Sequence, residues 1–152
     1  MPFSQGTDIA FTPVLMLLAA RGAGHLSQIP MISIVDDDES VCSALTGLIR
    51  SLGYFAHGFH SAEDFLQSAH VNDTSCLIAD VQMPGMNGIE LEQALVANGH
   101  KIPVIFISAF SEERRKAWLV SSKAICFLRK PFDSKVLIDC LETALRKLDD
   151  AR

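Results

Sequence analysis

The sequence predicts an α/β domain, a doubly wound parallel sheet of five strands. Five short apolar runs recur between residues 31 and 128, each nearly continuous rather than alternating. Strands buried on both faces read this way, and both faces are buried only where helices cover them. Between the runs lie amphipathic stretches long enough to be crossover helices. The chain is 49% apolar and 20% charged over 152 residues. That is enough apolar matter for a sizeable core, and at about 100–200 residues per domain it favours one domain.

MISIV (31–35) is the first strand and stops abruptly at Asp36-Asp37-Asp38-Glu39. Val41, Leu45, Leu48, Ile49 and Leu52 then recur at helical spacing, with Gly53 as the C-terminal cap. YFAHGF (54–59) is the second strand. Ser61 with Asp64 three residues later begins a helix, a capping box with Asp in place of Glu, and Phe65, Leu66 and Ala69 form its buried face. CLIA (76–79) is the third strand and ends at Asp80. The loop VQMPGMNG has turn chemistry, and a helix follows over about 89–98. PVIFIS (103–108) is the fourth strand, a polar helix covers about 111–122, and AICFL (124–128) is the fifth strand. Lys130-Pro131-Phe132 turns the chain, and Asp133 caps a last helix with Leu137, Cys140, Leu141, Ala144, Leu145 and Leu148 inward. No second domain is expected to follow.

The formal net charge is −5, a poor footprint for non-specific nucleic-acid binding. Cys42, Cys76, Cys126 and Cys140 are widely spaced, with no CxxC pair. They read as free, buried, small hydrophobes of a reduced protein, not as a zinc site or redox dithiol. Val14–Ala20 falls short of the roughly 18 apolar residues that span a bilayer. It lacks a preceding Lys or Arg, so it reads as neither signal nor anchor. Residues 1–30 form an N-terminal extension or an over-long translation start, and residues 31–150 the domain.

The strand ends carry the chemistry. Strand one ends in Asp36 and Asp37, strand three in Asp80, strand four in Ser108, and strand five runs into Lys130. In a doubly wound sheet these ends surround a crevice at the topological switch point. Three carboxylates, a hydroxyl and an ammonium would meet there. Clustered carboxylates raise one another's pKa unless a cation joins them, and oxygen donors with retained water suit Mg²⁺. A hard cation with a Lys and a hydroxyl is equipment for holding a phosphoryl group. Singly, each residue has a plainer reading: charges at a helix start, a loop cap, a strand end, a solvated turn residue. Their joint placement points to a site.

These residues resemble the receiver domain of bacterial two-component response regulators. The matching pieces are IVDDDESV (34–41), LIADVQMPGMNGIELE (77–92), PVIFISA (103–109) and FLRKPFD (127–133), in the family's order. The resemblance implies a flavodoxin-like sheet of order 2-1-3-4-5. It implies Asp80 as phospho-acceptor and Mg²⁺ held by Asp36 (through water), Asp37, Asp80 and the backbone carbonyl of Gln82. Ser108 takes the switch hydroxyl position, Lys130 the cation's, and Phe127 the aromatic switch position. The implied partners are a sensor histidine kinase or phosphotransfer protein and a downstream effector protein. The resemblance implies no direct contact with nucleic acid or membrane, and it offers the face of the fourth helix, fifth strand and last helix for a homodimer. The implied location is cytoplasmic. The protein would not be an enzyme beyond Mg²⁺-assisted self-phosphorylation and dephosphorylation.

Lys123 stands where most receivers carry Gly, which implies a remodelled end to the 111–122 helix, and Trp118 is expected to pack on the core. Phe110, two residues past Ser108, is expected to crowd the path of a hydrolytic water and lengthen the phosphoaspartate lifetime. Two other readings use the same residues. One is a degenerate receiver that binds partners without phosphorylation. The other is a metal-dependent phosphohydrolase with Asp80 as nucleophile, against which Gln82 stands where a general acid is usual.

Overall fold

The computed structural model describes residues 28–109 and 124–150. In chain order the elements are β1 (Met31–Val35), α1 (Glu39–Ser51), β2 (Phe55–Phe59), α2 (Ala62–Gln67), β3 (Cys76–Asp80), α3 (Gly88–Ala97), β4 (Val104–Ser108), β5 (Cys126–Arg129) and α4 (Ser134–Asp150). The helix expected over 111–122, with Phe110, Trp118 and Lys123, lies outside the described residues, as do residues 1–27.

All strand pairs are parallel, in the order β2-β1-β3-β4-β5. This is the expected doubly wound sheet. β3 and β4 are buried along their whole length, so both sheet faces must be covered. One face packs Ile32, Ile34, Ile78 and Ile107 against Leu45 and Ile49 of α1 and Leu137 and Leu141 of α4. The other packs Val35, Leu77, Ala79 and Phe106 against Phe65 of α2 and Leu91 and Leu95 of α3. Alternate residues of each strand serve opposite cores, the period-two rule at work.

The helix ends follow from local side chains. Asp38 caps α1 by accepting from the backbone N–H groups of Ser40 and Val41. Beyond it Gly53 takes φ 95°, a left-handed value that Gly alone adopts cheaply. Ser61 accepts from the Asp64 N–H at 3.0 Å, and Asn87 with Glu90 forms a reciprocal capping box on α3. The Asp133 carboxylate accepts from the Lys135 N–H at 2.9 Å before α4.

Two expectations fail. The second helix does not reach Ala69. Ser68 is extended, its hydroxyl donates to the Phe65 carbonyl, and the chain restarts as a 3₁₀ turn over Ala69–Val71. Ala69 is exposed and Val71 is buried in its stead. A serine hydroxyl competing for backbone partners stops a short helix. The second correction concerns the cysteines: Cys126 and Cys140 form a disulfide, and only Cys42 and Cys76 are free thiols. Fourteen residues separate the pair in sequence, yet the turn after β5 folds α4 back over the sheet. That brings their Cα atoms to 6.1 Å, inside the span a disulfide bridges.

Candidate functional site

The chain leaves β1 outward to β2, then returns past β1 to β3. The switch point therefore lies between the C-terminal ends of β1 and β3, where a crevice opens. Asp36 directly follows β1 and is fully buried, and its backbone N–H donates to the Phe59 carbonyl at 3.0 Å. Its Oδ1 accepts from the Asp38 N–H at 2.9 Å. The acidic run thus divides its labour: Asp38 caps α1, while Asp36 and Asp37 lie with the crevice. Asp37 is exposed. Asp80 ends β3, is 5% exposed, and accepts from the Gln82 N–H at 3.1 Å. Oxygens of Asp36, Asp37 and Asp80 all lie within 4.8 Å of one another. The backbone N–H of Gln82 ties the start of the following loop to Asp80.

Lys130 reaches this group from the far side. Its Nζ donates to Asp36 Oδ2 at 3.0 Å and to Asp80 Oδ2 at 3.2 Å. The backbone places it there, since the Lys130 N–H donates to the Ser108 carbonyl at 2.7 Å and Ser108 pairs with Arg129 across β4 and β5. Ser108 is fully buried at the end of β4. Phe127 is buried in β5 and packs against Phe106 with the rings tilted at 60°, centroids 6.1 Å apart.

The electrostatics follow from burial. Loss of solvent and the nearby Asp36 charge push the Asp80 carboxyl up to about 6, against the pull of the Gln82 N–H and Lys130. Desolvation works against the Lys130 charge, but its hydrogen bonds to Asp36 and Asp80 win and raise its pKa. One ammonium among three carboxylates leaves a surplus of negative charge. Hard oxygen donors with such a surplus fit a divalent cation of the Mg²⁺ type.

A family model described as the response regulator receiver domain matches residues 32–142. The chain belongs to the response regulator receiver family. The transcriptional regulatory protein TdiR of Thauera aromatica is 37% identical over 75% of this chain and 50% of that protein. The response regulator protein TmoT of Ectopseudomonas mendocina is 38% identical over 82% and 57%. This receiver chain therefore spans about half the length of these curated relatives. Among solved structures, the response regulator StyR superposes with TM-score 0.72 at 36% identity, covering 82% of this chain and 63% of that one. FixJ-N gives 0.70 at 31%, covering 78% and 95%.

Two residues that shape the receiver site escaped sequence reasoning. A β-carbon at Gly88 would stand 2.5 Å from the Asp80 carbonyl oxygen. Only glycine lets α3 begin so close to the end of β3. Glu63 of α2 accepts from the Met86 N–H at 3.0 Å and so clamps the loop that follows Asp80. That bond holds the exposed Glu63 carboxyl below its usual range. Glu63 reads in sequence as an ordinary first-turn acid. The one available signal was Gly85, whose φ of 72° brings the loop against that carboxylate.

Proposed function

We propose that residues 31–150 are the phospho-acceptor domain of a two-component phosphorelay, with residues 1–30 an extension to it. The observation that carries this reading is Lys130 Nζ bridging Asp36 and Asp80 across the crevice. Charged groups gathered at the switch point of a doubly wound sheet are equipment for phosphoryl transfer.

An Asp80 oxygen attacks the phosphorus of a kinase phosphohistidine in line. The N–P bond breaks, the imidazole nitrogen leaves and takes a proton, and an acyl phosphate forms on Asp80. With a carboxyl pKa of about 6 the nucleophile is ionised at neutral pH. Lys130 turns its ammonium from Asp80 to a phosphoryl oxygen, and the Ser108 hydroxyl donates to another. Asp36, Asp37, Asp80 and the Gln82 carbonyl would hold Mg²⁺. When bound, it supplies charge neutralisation at the transferred group. Movement of Ser108 toward the phosphoryl group opens space for Phe127, which now lies on Phe106. The surface around β5 and α4 is thereby biased between two states.

The donor is a histidine kinase or phosphotransfer protein, which places the domain in the cytoplasm, and the readout is an effector protein. Relatives named as transcriptional regulators support an effector that acts on transcription. The net charge of −5 argues that this domain does not itself touch nucleic acid. The test is incubation with acetyl phosphate and Mg²⁺, read by intact mass. A gain of one phosphoryl group, lost in Asp80→Asn, is expected. No gain in the wild type, or an equal gain in the variant, overturns the reading.

A further inference from the structure

Four cysteines divide into two pairs by environment. Cys76 is fully buried and Cys42 is 3% exposed. Burial pushes the Cys76 thiol up to about 12 and raises Cys42 as well. Such thiols are protonated and shielded, hence inert to oxidants. Cys126 is partly exposed at the start of β5, and Cys140 is 8% exposed in the second turn of α4. In the bonded form their Cα atoms lie 6.1 Å apart, within the range that disulfides span.

The position matters as much as the distance. Among the described residues β5 is an edge strand, with β4 its one sheet neighbour. Cys126 packs into the core shared with α4, while the next residue, Phe127, packs into the opposite core. A bond from Cys126 to α4 therefore restrains the backbone that carries Phe127.

We propose that Cys126 and Cys140 form a reversible thiol–disulfide site, oxidised by hydroperoxides, that fastens β5 to α4. In the first step the Cys126 sulfur attacks a peroxide oxygen. The O–O bond breaks, Cys126 becomes a sulfenic acid, and one water leaves. In the second step the Cys140 sulfur displaces the sulfenic hydroxyl, which departs as a second water with the Cys140 proton. Two thiols have then given two electrons to one hydrogen peroxide. A dithiol reductant returns two electrons and two protons. Cys126 reacts first because it is the more exposed.

The full chain would be reduced with dithiothreitol, freed of it, and titrated with hydrogen peroxide. It would then be denatured and alkylated with N-ethylmaleimide. Reduced protein should take up four labels and oxidised protein two, with peptide mapping joining Cys126 to Cys140. Dithiothreitol should restore four labels to the native protein. In Cys140→Ser, oxidation should stop at a Cys126 sulfenic acid that dimedone traps. Hydrogen exchange in wild-type residues 125–129 should slow by roughly tenfold on oxidation. Linkage to Cys42 or Cys76, over-oxidation without a bond, a bond that resists dithiothreitol, or unchanged exchange would overturn the proposal. No readout uses Asp80, so a failure of the phospho-acceptor reading leaves this result separate.

Discussion

Asp80→Asn tests the electrostatics of the crevice without any phosphoryl donor. Burial and Asp36 raise the Asp80 carboxyl from 3.8 to about 6. A raised carboxylate pKa means that the folded state holds its proton more tightly than the unfolded chain does. Stability is therefore undiminished below about pH 4, where both states are protonated, and falls as pH rises toward 6 and just beyond. Two pKa units at about 1.4 kcal/mol each bound the cost at about 3 kcal/mol. Water at the crevice mouth screens part of it, leaving about 1–2 kcal/mol. The Gln82 N–H meets one Asp80 oxygen and Lys130 Nζ the other; Asn, like a protonated Asp, offers one acceptor oxygen in place of two and carries no charge. At pH 8 without Mg²⁺ it should therefore melt about 3–8 °C above the wild type. The gap should close by pH 4, and at pH 8 it should narrow when Mg²⁺ is added to both proteins. Thermal melts at the two pH values, with and without Mg²⁺, measure this. An Asn variant no more stable than wild type at pH 8, or equally stabilised at pH 4, refutes the argument.

Lys130→Ala leaves Asp36 and Asp80 facing each other without their ammonium, and should cost about 1–3 kcal/mol at pH 7.5 in denaturant melts. The raised Lys130 pKa puts this contribution fully in place below about pH 10 and removes it above. Asp37 is exposed, so Asp37→Ala should leave the metal-free melt unchanged while weakening Mg²⁺ binding roughly tenfold by calorimetry, as loss of one carboxylate donor requires. Gly88→Ala drives a methyl into the Asp80 carbonyl. A loss of about 1–3 kcal/mol is expected, and an unchanged melt would mean that α3 can shift freely from β3.

The fold was legible because the central strands β1, β3 and β4 are short apolar runs buried on both faces, with a period that differs from the helical stripes beside them. The ends of α1 and α4 were legible because Gly53 and Asp133 act within a few residues of themselves. The nearness of Asp36, Asp80 and Lys130 could be read because parallel strands deliver their C-terminal residues to one edge. What escaped depends on contacts distant in sequence or on competition between weak local preferences. Glu63 meets Met86 across 23 residues, and Cys126 meets Cys140 only once a turn has folded a helix back. Ser68 could have continued α2 or broken it, and its own hydroxyl tipped the balance. The close approach behind Gly88 is invisible in a string, where that glycine reads as one more turn residue.

The Lys130 bridge also has a consequence for the order in which the domain can be completed. The ammonium lies 94 residues from Asp36 and 50 from Asp80 along the chain. Chains are synthesised from the N-terminus and begin to fold as they emerge. β2, β1 and β3 and all three carboxylates are available before β4, β5 or Lys130. The half-made sheet must therefore carry its acidic cluster without its own counter-charge, leaning on protons or cations from the surrounding solution. The first counter-charge arrives just after the last strand, so the piece that closes the sheet edge also brings the ammonium that offsets part of the charge at its centre.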